Sequence, residues 1–321
     1  MSRDELIHVN KAGRDKRQGG EGMKIGMIDV DSHNFPNLCL MKISAWHKSQ
    51  GDEVEWCSLF EHYDRVYMSR VFDDTYTEDF LTAVNADEII KGGTGYGLDN
   101  KLPEYIEHIY PDYSLYPKLT ENTAYGFLTR GCPNNCPFCI VSKKEGRKSI
   151  KVADLSEFWK GQKEIKLLDP NLLASTEHEE LLGQLIKSNA YVDFTQGLDA
   201  RLITEKNVEL LAQVKVKMIH FAFDLMKNEK KIINGLKLYK EISNITERKT
   251  GVYILTNYNT THEEDLYRIN TVRDLGYMPY VMIFDKAHAP RKTRLLQRWC
   301  NNRIIYKASG ERFENYDSRL G

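Results

Sequence analysis

Apolar positions along this chain follow two spacings, and the spacings alternate. Lys24-Ile-Gly-Met-Ile-Asp-Val30 reads as a buried strand. Leu38 to Ser49 then sets apolar residues at helical spacing until Gly51 stops it. Further strands are expected at 53–57, 65–69 and 87–91, the last running into Gly92-Gly93-Thr94-Gly95-Tyr96-Gly97. Strands alternating with helices imply a parallel sheet, so residues 23–98 read as a small Rossmann-like domain. Residues 99–121, with Pro103, Pro111, Pro117 and several tyrosines, read as a packed connector.

From Thr123 the alternation restarts. Strands are predicted at 123–128, 165–168, 192–196, 217–223, 251–256 and 279–284. Helices are predicted at 154–162, 177–189, 204–214, 228–243 and 262–275. About six βα units are too few for a closed eight-fold barrel, and residues 122–288 read as a partial (βα)6 barrel of the TIM type. The fold class is therefore α/β: a Rossmann-like parallel sheet, then a partial barrel. A basic helix from Arg291 to Cys300 and a polar tail occupy 289–321. Residues 1–22 are polar, charged and glycine-rich, and read as a mobile arm.

Composition narrows the function by exclusion. The 321 residues carry a formal net charge of -1, which gives no global reason to bind nucleic acid or an anionic membrane. No apolar run approaches membrane length, and Met1-Ser-Arg-Asp-Glu opens neither a signal nor a transit peptide. Of six cysteines, Cys39, Cys57 and Cys300 stand far apart and are expected to be reduced and buried. Such cysteine usage fits a reducing cytoplasm.

The other three lie within eight residues, as Cys132-Pro-Asn-Asn-Cys136-Pro-Phe-Cys139, just behind Thr129-Arg130-Gly131. A thiolate cluster this tight points to a metal site. A closed zinc site takes four ligands in paired spacings, and a 4Fe-4S cluster usually takes four cysteines. Three ligands leave one position open for a substrate or cofactor. The competing reading is a zinc knuckle completed by a distant His or by Cys300.

The spacing C-x3-C-x2-C, with Phe138 before the last cysteine and Gly131 before the first, resembles the signature of the radical SAM superfamily. The resemblance implies a 4Fe-4S cluster on Cys132, Cys136 and Cys139 whose open iron holds S-adenosylmethionine, with Phe138 at the cofactor. It also implies reductive cleavage to a 5'-deoxyadenosyl radical, an external one-electron donor of the flavodoxin or ferredoxin type, and an oxygen-sensitive cluster.

In α/β barrels chemistry sits at the carboxyl ends of the strands. The predicted strands end in Asp169 and Asn171, Gln196 and Asp199, Asp224, Asn257, and Asp285. Together they read as a polar ring facing the cluster, although each alone reads equally as a turn former or helix cap. The resemblance sets Asp169 and Asn171 against the cofactor's amino group, in an acidic variant of the commoner glycine-glycine-glutamate form. It sets Gln196 and Arg201 at the ribose or carboxylate, where an Arg makes a bidentate, charge-assisted contact. Arg201 serves equally as an ion-pair partner of Asp169 or Asp224. Gly251 to Asn257 resembles the fifth-strand glycine motif near the adenine, and Val281 to Phe284, with Ile283, the sixth-strand backbone that reads the adenine edge.

The order of domains resembles the class with an N-terminal cobalamin-binding-type domain. It implies a corrin-facing loop at Gly92, Gly93, Thr94 and Gly95, since glycines let backbone approach a ligand closely. His33, in Asp31-Ser-His33, has the spacing of a lower cobalt ligand but not the downstream glycine, so it reads equally as a loop histidine. Cobalamin and its absence both stay open, because the domain survives in members that bind none.

Lys143, Lys144, Arg147, Lys148 and Lys151 follow the cysteines, and Arg291, Lys292, Arg294 and Arg298 lie on the last helix. Such runs are usually solvated faces, yet the first lies where an anionic, nucleotide-type or other small-molecule substrate would enter. Two further function classes stay in view: a non-catalytic iron-sulfur or zinc protein that senses a nucleotide, and a nucleic-acid binder using the basic runs. For the enzyme, the reaction is hydrogen abstraction or, with cobalamin, methyl transfer, on a substrate that the residues do not name.

Overall fold

A computed structural model of the chain describes residues 22–80 and 83–319. The arm expected over 1–22 lies outside the described residues except for Gly22. The chain divides into two compact units, the first ending at Tyr116 and the second beginning at Pro117.

The first unit holds four parallel strands, β1 (Lys24–Asp29), β2 (Glu53–Trp56), β3 (Tyr63–Ser69) and β4 (Ala86–Gly92), in the order β2-β1-β3-β4. The helix Leu38–Ser49 starts at Asn37, whose side chain accepts from Leu40 N. It buries Leu40, Met41 and Ile43 against Ile25 and Met27. Ile28, Tyr63, Val66 and Met68 form the second core cluster of the sheet, packed with Phe80, Val84 and Tyr96.

Helices do not alternate with every strand here, which corrects the sequence expectation. The links β2–β3 and β3–β4 carry no helix among their described residues. They lack a 3.6-residue apolar repeat, as Glu61-His62 and Asp73-Asp74 illustrate. The proline- and tyrosine-rich segment adds to the cover of the helix Leu38–Ser49: Ile106 and Leu115 join the core of Ile25 and Met27. Asp112 accepts from Ser44 Oγ and Lys48 Nζ, and Tyr116 donates to Asp29. Residues 99–116 thus complete the first unit. Cys39 is exposed near the start of its helix rather than buried; Cys57 is half-buried and Cys300 buried.

The second unit contains β5 (Thr123–Gly126), a short antiparallel pair β6 (Thr129–Arg130) and β7 (Ile150–Lys151), then β8 (Glu164–Leu167), β9 (Tyr191–Leu198), β10 (Val216–Ala222), β11 (Thr250–Thr256) and β12 (Met278–Ile283). Six of them form one parallel sheet in chain order, β5-β8-β9-β10-β11-β12. Helices His178–Ser188, Glu205–Gln213, Glu229–Ser243 and His262–Asp274 separate the strands. Strand side chains such as Ile165, Val192, Ile219, Phe221, Val252, Ile254 and Val281 have lost all contact with solvent. Each aliphatic side chain so buried contributes roughly 1.5–3 kcal/mol.

β12 ends the sheet, and its open edge is closed by side chains. Gln297 and Asn301, on the helix Arg291–Asn301, hydrogen-bond the carbonyl of Val281, and Asn301 Oδ1 accepts from its N–H. This satisfies an edge that would otherwise invite pairing. The expected polar tail folds further: a helix, Arg303–Ala308, follows, and Trp299 donates to Ser309 Oγ from a buried position.

The helix predicted over 154–162 is only a turn, Leu155–Glu157. Gly161, at φ 97°, breaks the run. Phe158 lays its ring where a side chain on Gly126 would stand, 2.3 Å from the site of a Cβ, so β5 must end in glycine.

Candidate metal centre

The cysteine loop is framed before any metal enters. β6 and β7 pair across its base. Gly131, at φ 86°, lets the chain turn where a Cβ would meet Lys148 O at 2.1 Å. Glu145 accepts from Arg130 Nη1 at 2.9 Å and Gly131 N at 3.2 Å, and Cys132 N donates to Gly146 O at 3.1 Å. Within the loop Cys139 N donates to Cys136 O, and Ser142 Oγ to Asn135 Oδ1.

Asp169 secures the loop from below. It is buried, and its carboxylate accepts from Leu128 N, Thr129 N and Thr129 Oγ1. Both oxygens are occupied by the start of the loop, so the geometry gives Asp169 a supporting place rather than a free face toward a cofactor. Burial pushes its carboxyl up to about 6, against the pull of those hydrogen bonds.

None of the three thiols is in a disulfide, and all are half-buried. Burial raises the thiols of Cys136 and Cys139. The neighbouring cysteines and Asp224 raise them further, while Val141 N–H eases Cys139 and the Arg201 charge eases Cys136. Cys136 and Cys139 are therefore held protonated until a cation joins them, as expected of thiols in a metal-binding set.

Asp199 is the hub beside them. It accepts from Arg201 Nε at 2.8 Å and Nη2 at 2.7 Å, from Asn134 Nδ2 at 2.9 Å and from Asn171 Nδ2 at 3.4 Å. Asn171 Nδ2 also lies 3.5 Å from Cys132 Sγ, while its Oδ1 is buried without a hydrogen-bond partner. Burial would raise the Asp199 carboxyl, but hydrogen bonds from Arg201 and Asn134 outweigh it and hold it below the usual range. Arg201 therefore pairs with Asp199, not with Asp169 or Asp224.

The remaining predicted residues divide. Asp224 accepts from Leu255 N at 3.0 Å, burial pushes it up to about 6, and its charge reaches Cys136 and Cys139. Phe138 meets Tyr258 edge-on at 5.2 Å, and Tyr258 meets Phe284 at 4.9 Å, so an aromatic chain links the cysteine loop to the ends of β11 and β12. Asn257, at φ 62°, turns to donate to Phe284 O, and Asp285 pairs with His288. Gln196 is exposed and Ile283 partly so; neither is joined to the cysteines by a hydrogen bond. Gly251 lies against His220, whose Cδ2 would stand 2.8 Å from a Cβ, so its missing side chain makes room for an imidazole.

Sequence reasoning placed Asp199 in the polar ring but missed its pairing with Arg201, and missed Tyr258 and Arg268. Arg268 is wholly buried and donates to Phe223 O, Asp224 O, Leu255 O and Asp265. It pins the ends of β10 and β11. The signals were Asp199-x-Arg201 just after a strand and an Asp265/Arg268 pair at helical spacing.

In the first unit, His33 is exposed at φ 49° in the turn after β1. Gly93, at φ 96°, and Gly95 abut Arg70 O and Phe72 O, 2.3 and 2.2 Å from where a Cβ would be. Gly92 and Gly95 also bond Arg70. The close approach that Gly93 and Gly95 permit is to the chain's own backbone, while a Cβ on Gly92 would meet open space.

Among the described residues, no three His, Cys, Asp or Glu side chains converge as on a single metal ion. A cubane differs in this respect, because each thiolate binds a different iron. No family model and no curated protein matches the sequence. The crystal structure of Streptococcus suis SuiB bound to precursor peptide SuiA is similar over 59% of this chain and 46% of that one, at 11% identity and a TM-score of 0.42. This chain thus spans less than half of that protein. No helix among the described residues is long and apolar enough to cross a membrane.

Proposed function

We propose that the chain is a radical SAM enzyme. The observation that carries the reading is the framed loop that holds Cys132, Cys136 and Cys139 half-buried at the carboxyl end of the first barrel strand. Bound there, a 4Fe-4S cluster with S-adenosylmethionine would supply a 5'-deoxyadenosyl radical, given an electron from a flavodoxin- or ferredoxin-type donor. The thiol set fits that group: a half-buried, acceptor-rich loop with one ligand short of a closed site.

The chain's own residues do the rest. Arg201, held by two hydrogen bonds to Asp199, presents a fixed positive charge beside Cys132 and Cys136 for the cofactor's carboxylate. Asn171 keeps one unpaired carbonyl oxygen there for an N–H donor such as the amino group. Asp224 offers a second acceptor, and Phe138, braced by Tyr258, closes the loop side. Gln196, Asn257 and Ile283 would line the nucleoside end. The substrate is a small-molecule or nucleotide-type compound, and the setting a reducing cytoplasm. Cobalamin is left out, since the glycine loop packs on Arg70 and Phe72.

The variant Cys136→Ala is expected to lose both bound iron and 5'-deoxyadenosine formation. Retention of both would sink the assignment. Zinc in place of iron, with no cofactor cleavage, would favour the non-catalytic alternative.

A further inference from the structure

The two faces of the six-stranded sheet differ. One is sealed, with Val192, Phe194, Ile219 and Phe221 almost wholly buried. The other carries Lys166, Asp193, Thr195, His220 and Tyr253, all half-exposed although they sit on interior strands. Closed barrels fill that face with branched apolar side chains; here it is polar and solvent reaches it.

His220 and Tyr253 stack at 4.7 Å with 5° between the rings. Tyr253 is fixed by donating to Thr195 O at 2.8 Å. His220 Nδ1 lies 3.2 Å from Phe194 O, which places the proton on Nδ1 and leaves Nε2 an acceptor. Asp193, on the strand beside it, has Oδ1 buried with no hydrogen-bond partner. Nearby cations act on the Asp193 charge without hydrogen-bonding its Oδ1: Lys217 pairs with Glu164, and Lys166 Nζ lies over the Tyr125 ring at 5.4 Å.

We infer that Asp193 and His220 form a substrate subsite that takes a protonated amine, with a flat group of the same ligand lying along the His220–Tyr253 stack. The inference rests on the enzyme reading above and adds a substrate class to it. A buried carboxylate oxygen without a donor is costly, and a carboxylate beside a neutral imidazole offers acceptors only. An ammonium brings three donors and the opposite charge.

The test uses the full chain without a cluster and two probes, tyramine and N-acetyltyramine, followed by saturation-transfer NMR, with thermal unfolding at pH 7. Wild type should bind tyramine and discriminate against the acetylated form. Asp193→Asn should weaken tyramine roughly tenfold or more, as expected when one partner of a desolvated charge pair is removed. The same variant should melt no lower than wild type, because it removes an unpaired buried charge. Failure of tyramine to bind, equal binding of both probes, or a lower melting temperature in Asp193→Asn would overturn the subsite. Iron loading and 5'-deoxyadenosine formation report on the cysteine loop separately, so loss of the subsite with those intact leaves the enzyme reading standing.

Discussion

The loop after β4 and the loop after β6 both follow strands, and they are built in opposite ways. In the glycine loop Gly93 and Gly95 rest on the backbone of Arg70 and Phe72. In the cysteine loop the backbone is clamped at its base by Glu145 and Asp169, while the side chains above it are left chemically unsatisfied. Glycine there serves packing; cysteine here leaves thiols half-buried above a clamped backbone. The comparison teaches that a loop is a site when its backbone is satisfied and its side chains are not.

Exchanging the two kinds of residue should separate the roles. Cys132→Ser is expected to abolish iron loading entirely, measured by metal analysis, while the melting temperature of the metal-free chain barely moves. Gly93→Ala should do the reverse. It forces a Cβ into Arg70 O at positive φ and should cost roughly 2–4 kcal/mol in denaturant unfolding, with normal iron loading per folded chain. If Gly93→Ala lost iron and kept its stability, the comparison would fail.

A smaller effect sharpens the description of the cysteine loop. Asp199→Asn removes the charge that holds Arg201, Asn134 and Asn171 together. Supporting residues of this kind are worth roughly tenfold to a hundredfold in affinity or activity. The expected result is weaker S-adenosylmethionine binding by calorimetry with iron retained.

A pH slope tests the carboxyls that flank the loop. Asp169 and Asp224 sit at about 6, above the 3.8 of a free carboxyl. The folded chain therefore binds these protons more tightly than the unfolded chain does. Their contribution to stability is greatest below about pH 4 and is lost as pH rises through 6, each tenfold difference in proton affinity being worth about 1.4 kcal/mol. Asp224→Asn should flatten part of that slope in unfolding curves collected between pH 4 and 7.

Much of this architecture was legible in the residues. Apolar-rich runs such as Val216–Ala222 and Thr250–Thr256, bounded by helical segments, have few other solutions than a parallel sheet, and their predicted ends lie within about a residue of those observed. The cysteine spacing was legible for the same reason: it is local. What sequence did not show was long-range or depended on one torsion. Gly161 ended a helix that the periodicity allowed. Residues 104–116 pack beside the helix Leu38–Ser49 on the Ile25–Met27 core, because tyrosines and prolines give no periodic signal that would have shown it. Arg201 finds Asp199 only because the turn after β9 folds two neighbours together. Arg268 is buried because three strand-end carbonyls need a donor there, which no helical pattern records.

One measurement tests the central claim most directly. The protein would be purified anaerobically, reconstituted with iron and sulfide, and given dithionite and S-adenosylmethionine, with 5'-deoxyadenosine read by mass spectrometry. Its appearance, dependent on Cys132, Cys136 and Cys139, is the predicted result. Its absence from a protein that carries a full 4Fe-4S load and binds the cofactor would contradict the account.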